Sequence, residues 1–223
     1  MQVTEETNLI LFSDSYKISH SMFYEPGITQ TYDYLESRGG EYQDTPMFGA
    51  QALIQKYLLG SVVTIRDVEE AYELCKNHFG RDFFNRQGWE YIVKNLGGRL
   101  PLEICSLPEG ITVPVRTPLL AYYNTDPNCS WLPGYMETFL FELWYPITVS
   151  TLSRHIKRVC YDALKETGTL SNLDFMLSNF GARGCSSQES VHFGSAAHLV
   201  HFKSTDALSA IPFINRFQCL SRY

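Results

Sequence analysis

The segment with the clearest chemical potential runs from Asn179 to Glu189 and reads Asn-Phe-Gly-Ala-Arg-Gly-Cys-Ser-Ser-Gln-Glu. A predicted strand ends here, and a capping box of Ser186 with Glu189 is expected to open a helix. The N–H groups at a helix start attract anions. Arg183 adds a planar fork for a phosphate or an amide oxygen, and Phe180 adds a flat ring for stacking. The pattern predicts a site for a flat or anionic ligand; an ordinary strand-to-helix connection, with a surface arginine and a core phenylalanine, fits it equally.

Three further polar clusters carry weaker signals. The run from Asp14 to His20 places a carboxylate, a phenol, an ammonium and an imidazole within seven residues, which is also typical of a solvated loop or a helix start. Arg38 precedes two glycines, a pattern found in phosphate-binding loops and in ordinary surface loops. Asp206 follows an apolar run over 196–202 and is suited either to capping a helix or to accepting a hydrogen bond from an amide.

Several familiar catalytic and metal-binding patterns are absent from the sequence. It contains no Gly-x-Ser-x-Gly, no Walker A loop, no Gly-x-Gly-x-x-Gly and no His-Glu-x-x-His. His198 and His201 have helical spacing but lack a carboxylate partner, so core or surface roles are favoured over metal binding. The six cysteines are widely spaced and never form Cys-x-x-Cys, which predicts reduced thiols and neither a disulfide framework nor a zinc site.

The elements that would position these residues are a mixture of helices and strands. A helix over 65–79 is predicted from the capping box of Thr64 with Asp67 and from the stop signal Gly80. Further helices are predicted at 51–59, 85–95, 131–145 (ending before Pro146) and 150–166, and strands at 29–36, 100–105, 111–116, 119–124 and 173–180. This order predicts an α/β or α+β protein with two modules, divided at a composition shift near 98–108.

Composition narrows the class of protein. The chain has 223 residues, of which 44% are hydrophobic, and its 18 basic and 24 acidic side chains give a net charge of −6. This balance supports a sizeable core and argues against a nucleic-acid-binding protein, which would carry a basic face. No apolar stretch approaches the ~20 residues of a membrane helix, and residues 1–7 lack the basic start of a secretion signal. A cytoplasmic protein without a membrane segment is expected.

Several motifs occur together in one order along the chain and resemble a known family. They are Asp14-Ser15-Tyr16-Lys17, Asn124-Thr125-Asp126-Pro127, Trp144-Tyr145-Pro146-Ile147-Thr148-Val149, Phe180-Gly181-Ala182-Arg183-Gly184-Cys185-Ser186-Ser187-Gln188-Glu189, Ala197-His198-Leu199-Val200 and Phe202-Lys203-Ser204-Thr205-Asp206. Together they resemble the nicotinamide phosphoribosyltransferases of NAD salvage, over about residues 8–208.

The resemblance implies a reaction and a fold. Members of that family join nicotinamide to 5-phosphoribosyl 1-pyrophosphate, giving nicotinamide mononucleotide and pyrophosphate. The implied fold class is α/β: an N-terminal α/β module over 1–104, then over 105–223 the first part of an irregular barrel of the type II phosphoribosyltransferase kind, with an atypical tail at 209–223. Active sites are expected at a homodimer interface.

The resemblance also implies roles for five residues in substrate binding. Phe180 would stack on one face of the pyridine ring and Tyr16 of the partner subunit on the other. Asp206 would accept from the carboxamide, and Arg183 would contact the ligand near the carboxamide and the phosphates. Arg38 of the partner subunit would help to hold the phosphoribosyl pyrophosphate. Mg²⁺ would shield the pyrophosphate, with no protein ligand assigned.

The chain departs from the family pattern in several places. Ala182 stands where the family usually has an aromatic residue, and His192-Phe193 replaces smaller residues. Family members are longer, and their catalytic histidine lies beyond this chain, so no catalytic residue is assigned. A truncation or a shifted reading frame is expected. The alternative to a phosphoribosyltransferase is therefore an inactive remnant that retains dimerisation or ligand binding only.

Overall fold

The structure is a computed structural model that describes residues 8–217. The acidic start of the chain and the last six residues of the tail lie outside the described residues. The described chain divides into two units. The first comprises residues 8–35, 56–105 and 120–141, and the second comprises 36–55, 106–119 and 142–217. The chain therefore passes between the units several times, and one crossing follows Cys105. The division at 104/105 stays a prediction.

Helices and strands occur in blocks along the chain: two strands, three helices, three strands and four helices. The helices are α1 Ala50–Tyr57, α2 Ile65–Phe79, α3 Arg86–Leu96, α4 Leu132–Leu140, α5 Trp144–Thr167, α6 Gln188–His198 and α7 Ala210–Phe217. The strands are β1 Tyr32–Glu36, β2 Asp44–Pro46, β3 Leu102–Ser106, β4 Thr112–Pro114 and β5 Pro118–Asn124. They form one sheet in the order β1-β5-β3 and an antiparallel pair, β2 with β4, in which Thr45 faces Val113.

Local sequence signals set the ends of α2. The Thr64 hydroxyl accepts from the backbone N–H of Asp67, and the Asp67 carboxylate accepts from the backbone N–H of Thr64 at 2.7 Å. Gly80 ends the helix with a φ of 63°, a left-handed conformation that costs glycine little. The predicted capping box and stop are therefore confirmed.

An aromatic cluster forms the centre of the first unit. The Trp89 ring lies edge-on to the rings of Trp131 and Tyr135, at centroid distances of 5.0 and 5.1 Å. All three side chains are buried, and the Tyr135 hydroxyl donates to the carbonyl of Ile10 at 2.7 Å. This cluster ties α3 and α4 to the start of the chain.

The predicted single helix over 131–145 is wrong, because the segment is interrupted and no helix ends before Pro146. Helix α4 ends at Leu140, a short 3₁₀ turn follows, and α5 begins at Trp144 and runs through Pro146. Proline is tolerated in the first turn of a helix because the N–H it lacks would have no partner there. Pro146 therefore sits near the beginning of α5 and does not end a preceding helix.

Long-range side-chain contacts join α5 to its neighbours in the second unit. Asp44 on β2 accepts from Arg154 and pairs with His155, each at 3.1 Å, and Tyr42 stacks on the His155 ring at a centroid distance of 3.9 Å. On the adjoining turn, the Ser153 hydroxyl contacts Nδ1 of His198 on α6 at 2.9 Å. These contacts hold α5 against β2 and against α6, the helix that follows the Phe180 motif.

The predicted buried strand over 173–180 is also wrong. A 3₁₀ helix occupies Leu170–Phe175, and the pairing that remains is a single parallel bridge between Asn179 and Thr205. The Thr169 side chain accepts from the backbone N–H of Ser171 and so favours a turn over an extended strand. None of the apolar residues that suggested burial is buried, and Phe175 is 62% exposed.

The helix after the glycine motif begins one residue later than the capping-box pattern predicts. Ser187, rather than Ser186, is the N-cap of α6, and its hydroxyl accepts from the backbone N–H of Ser190 at 3.1 Å. Serine is a favoured N-cap at either position, and the predicted capping box of Ser186 with Glu189 is therefore wrong by one residue.

Candidate functional site

A short 3₁₀ turn holds Phe180 and Arg183 on one surface of the second unit. The turn covers Gly181–Gly184 and directly follows Phe180. The Asn179 carboxamide oxygen accepts from the backbone N–H of Gly181 at 3.0 Å and from the Ser195 hydroxyl at 3.1 Å, so the turn is tied to α6. The Phe180 ring is 59% exposed, and Arg183 is also exposed. An exposed ring and a guanidinium three residues apart suit a flat ligand that carries polar or anionic groups.

Asp206 lies beside this turn although it is distant in sequence. Its backbone N–H donates to the Asn179 carbonyl at 3.0 Å, and its carboxylate accepts from the Ser178 hydroxyl. The preceding residue, Thr205, forms the parallel bridge with Asn179. These contacts therefore do not support the expectation that Asp206 caps a helix. Its carboxylate contacts Ser178, two residues before Phe180.

An ion cluster holds together the two segments that carry Phe180 and Asp206. The Asp174 carboxylate accepts from Lys157 at 2.6 Å and from Lys203 at 2.8 Å, and the Lys203 backbone N–H donates to the Asp174 carbonyl at 2.8 Å. The hydrogen bonds from Lys157 and Lys203 lower the pKa of the Asp174 carboxyl to about 2, from an ordinary value of 3.8. The cluster thus clamps the chain before Phe180 to the chain before Asp206.

Replacing Asp174 by asparagine is expected to remove an acid-sensitive part of the stability. Because the folded-state pKa is lowered, the ionised carboxylate stabilises the fold above about pH 4, and this contribution is lost as the pH falls towards about 2. The side chain is one-third exposed, so solvent screening reduces the contribution at pH 7 to roughly 1 kcal/mol. Urea unfolding at several pH values between 7 and 2 measures it.

The matched control is Asp162→Asn, on an exposed residue of α5. The difference in unfolding free energy between the unsubstituted chain and Asp174→Asn should shrink as the pH falls from 4 to 2. A difference that stays constant over this range contradicts the clamp.

His198 supports the same segment from the core. It is 2% exposed, its Nδ1 contacts the Ser153 hydroxyl at 2.9 Å, and its Nε2 lies 3.3 Å from the Leu177 carbonyl. A carbonyl only accepts, so Nε2 carries the proton and Nδ1 accepts from the serine. Burial lowers the pKa of His198, which favours this neutral form. The histidine is a core residue that positions the chain before Phe180.

Tyr16 belongs to the first unit and lies in the 3₁₀ helix Ser15–Phe23. Its ring is 55% exposed. The next residue, Lys17, is buried and forms an ion pair with Glu137. The motif therefore combines an anchored lysine with an outward-facing tyrosine. The role of Tyr16 opposite the ring of a ligand stays a prediction.

Arg38 is exposed in the loop that the sequence pattern predicts. Gly39 and Gly40 both have positive φ, at 102° and 153°, and the Ser37 carbonyl accepts from the backbone N–H of Arg116 at 2.8 Å. Within residues 8–217, no hydrogen bond or ion pair joins Arg38 to Phe180 or Asp206. Its role in holding phosphoribosyl pyrophosphate stays a prediction.

A separate cavity of about 300 Å³ lies in the second unit near the start of α6. Its walls come from Leu53, Glu142, Leu143, Tyr145, Pro146, Ser187, Glu189, Ser190 and Phe193. The lining includes none of the predicted substrate-binding residues. Burial and the Cys185 thiol, 3.5 Å away, raise the pKa of Tyr145 to about 12, so its hydroxyl stays protonated beside this cavity.

Sequence reasoning missed the residues that support the site. Asp174 and Ser178 hold the segments that carry Phe180 and Asp206, yet each is an ordinary polar residue in the sequence. The available signal was that Ser178 directly precedes the motif that begins at Asn179.

The described residues form neither a metal-ligand cluster nor a membrane-spanning helix. Among residues 8–217, no three His, Cys, Asp or Glu side chains are grouped so that they could hold a metal ion. In the same part of the chain, no helix combines the length and apolar character needed to cross a bilayer. The five cysteines at positions 75, 105, 129, 160 and 185 are free thiols.

Comparison with known proteins confirms the resemblance. Residues 8–104 match the family model for the nicotinamide phosphoribosyltransferase N-terminal domain. The nicotinamide phosphoribosyltransferase of Xanthomonas campestris pv. campestris is 44% identical over 206 residues, which are 92% of this chain and 43% of that protein. That of Acinetobacter baylyi is 35% identical over 126 residues, covering 56% of this chain and 25% of the relative. The chain thus spans less than half the length of these relatives.

A solved structure supports the fold. Human nicotinic acid phosphoribosyltransferase superimposes with a TM-score of 0.62 at 17% identity, covering 90% of this chain and 37% of that protein. The predicted α/β fold class is confirmed.

Proposed function

We propose, from the premise that the chain is a nicotinamide phosphoribosyltransferase-like protein, that it serves the transfer of a phosphoribosyl group to nicotinamide in NAD salvage. The products are nicotinamide mononucleotide and pyrophosphate. The observation that supports the proposal is that the parallel bridge between Asn179 and Thr205 places the segment of Phe180 and Arg183 beside the segment of Asp206. These three residue types match the ring, the amide and the anionic groups of the two substrates.

The ring of nicotinamide would stack on Phe180, whose exposed face is available for a flat aromatic partner. The carboxamide N–H₂ would donate to the Asp206 carboxylate, a charge-assisted hydrogen bond that sets the orientation of the ring. Arg183 would lie near the carboxamide and the phosphates, where its fork can donate to either. Together they would hold the nucleophilic ring nitrogen in one orientation, which is what a bimolecular transfer requires.

The remaining parts of the site would come from a second copy of the chain and from a metal ion. Tyr16 and Arg38 are exposed, and we assign them to the active site of the neighbouring subunit in a homodimer. Ribosyl transfer places negative charge on the departing pyrophosphate, which Mg²⁺ would shield mainly through the phosphate oxygens. A cytoplasmic location is part of the same proposal.

Replacing Phe180 by alanine is expected to weaken nicotinamide binding by about 1 kcal/mol, or roughly fivefold, because the stacking face is lost. Isothermal titration calorimetry of the purified chain with nicotinamide measures the change. Phe180→Tyr keeps the ring and should bind like the unsubstituted chain.

Phe175→Ala is the matched control, because that ring is also exposed, at 62%, and precedes the same motif. It should leave the affinity unchanged. An unsubstituted chain that fails to bind nicotinamide, or equal losses in both alanine variants, would refute the pocket assignment. A parallel assay of mononucleotide formation separates turnover from binding, since ground-state binding alone does not accelerate bond formation.

A further inference from the structure

Two serine hydroxyls form a short relay that ends on Asp206. The Ser204 hydroxyl lies 3.0 Å from the Ser178 hydroxyl, and the Ser178 hydroxyl in turn contacts Oδ2 of Asp206. Ser178 is 28 residues from Asp206 in sequence. The relay therefore exists only because the bridge between Asn179 and Thr205 aligns the two segments.

The direction of the relay follows from the chemistry of its groups. An ionised carboxylate only accepts hydrogen bonds, so the Ser178 hydroxyl must donate its single proton to Asp206. Ser178 then has no proton left for Ser204, and it accepts from the Ser204 hydroxyl instead. Each hydrogen bond polarises the next one, which strengthens the contact to the carboxylate.

The residues on both sides of Ser178 are tied to the rest of the second unit. The Leu177 carbonyl contacts the buried His198, and the Asn179 carboxamide oxygen accepts from Gly181 and Ser195. These contacts fix the chain that carries Ser178, and the hydrogen bonds to Ser204 and Asp206 then orient its hydroxyl.

The two carboxylate oxygens of Asp206 differ in their hydrogen bonding. Oδ2 is bonded to Ser178, whereas Oδ1 accepts no hydrogen bond from any residue in the 8–217 range. A donor on a ligand would therefore meet Oδ1 of a carboxylate whose rotation is restricted. A ligand carboxylate at the same place would meet the like charge of the Asp206 carboxylate.

We propose that Ser178 is a positioning residue that determines specificity: it orients the Asp206 carboxylate so that the site takes a pyridine carboxamide and rejects the pyridine carboxylate. The inference rests on the proposed function, because it requires Asp206 to face the carboxamide. Ser178 itself acts through Asp206 and need not touch the ligand. Ser204 acts one step further away, so its contribution is smaller.

The test compares nicotinamide and nicotinate binding to the full chain at pH 7 by calorimetry. Ser178→Ala should weaken nicotinamide binding roughly tenfold, because a charge-assisted hydrogen bond that fixes the acceptor is lost. Nicotinate binding should not weaken in parallel, so the preference for the amide falls by a similar factor. Ser178→Thr keeps the hydroxyl and should restore both the affinity and the preference. Ser204→Ala should show a loss of about twofold to threefold, as expected for a polarising neighbour.

Ser209→Ala is the matched control, because that serine is close in sequence and its side chain makes no hydrogen bond within the described part of the chain. A folded Ser178→Ala variant, checked by circular dichroism, that retains the amide preference would overturn the inference. The inference would also be overturned if Ser178→Thr lost nicotinamide affinity and amide preference to the same extent as Ser178→Ala. If the unsubstituted chain binds no nicotinamide, the proposed function is refuted, and so is the inference that depends on it. The result for the unsubstituted chain therefore distinguishes the two failures.

Discussion

Replacing Asp206 by alanine is expected to weaken nicotinamide binding by about 30- to 100-fold, the largest functional effect of any single substitution proposed for this chain. The carboxylate is the acceptor of the proposed charge-assisted hydrogen bond from the carboxamide, which is worth about 2–3 kcal/mol. Its removal also leaves the preorganised Ser178 hydroxyl without its acceptor. Calorimetric titration with nicotinamide measures the loss directly.

Two further variants sharpen this expectation. Asp206→Asn keeps a carbonyl acceptor but loses the charge, so its affinity should lie between those of the alanine variant and the unsubstituted chain. Asp162→Ala removes an exposed carboxylate elsewhere in the second unit and should have no effect. If Asp206→Ala and Asp162→Ala bind nicotinamide equally well, Asp206 is not the acceptor.

Trp89→Ala is expected to lower the free energy of unfolding by about 3–5 kcal/mol, the typical cost of truncating a buried tryptophan. The side chain is fully buried and lies against Trp131 and Tyr135, so its removal opens a large cavity in the first unit. Urea unfolding followed by far-ultraviolet circular dichroism measures the loss without relying on tryptophan fluorescence.

A matched control for Trp89 is Trp144, which is 71% exposed. Trp144→Ala should change the unfolding free energy by about 0.5 kcal/mol or less. Trp89→Phe should cost less than Trp89→Ala, because phenylalanine keeps an aromatic ring and leaves a smaller cavity. The Trp89 indole N–H makes no hydrogen bond within the described residues, so its loss adds no cost. Equal stabilities of the Trp89→Ala and Trp144→Ala variants would show that the aromatic cluster is not the centre of this unit's core.

The sequence by itself determined those features whose interacting groups lie within one or two turns of each other. The helix from Ile65 to Phe79 begins and ends where Thr64, Asp67 and Gly80 predict, since each capping contact spans three residues or fewer. The linked motifs likewise identified the family resemblance, because order and residue type along the chain need no tertiary structure. The choice of Phe180, Arg183 and Asp206 as candidate residues came from the same source.

Only the tertiary structure determined that the segments carrying Phe180 and Asp206 are neighbours. The segment over 173–180 has the composition of a strand, yet its local turn contacts and the clamp from Lys157 and Lys203 to Asp174 hold it in another conformation. Pro146 looked like the end of one helix and lies in the first turn of the next. In both cases the local pattern permits two conformations, and packing against distant residues selects one.

The same reason explains why the relay from Ser204 through Ser178 to Asp206 could not be read from the sequence. Its hydrogen bonds span 26 and 28 residues, and serine is too common for its position to carry a signal. A hydrogen bond forms only when two groups come within about 3 Å in the right orientation. For residues so far apart along the chain, the folded backbone sets that distance, here through the bridge between Asn179 and Thr205.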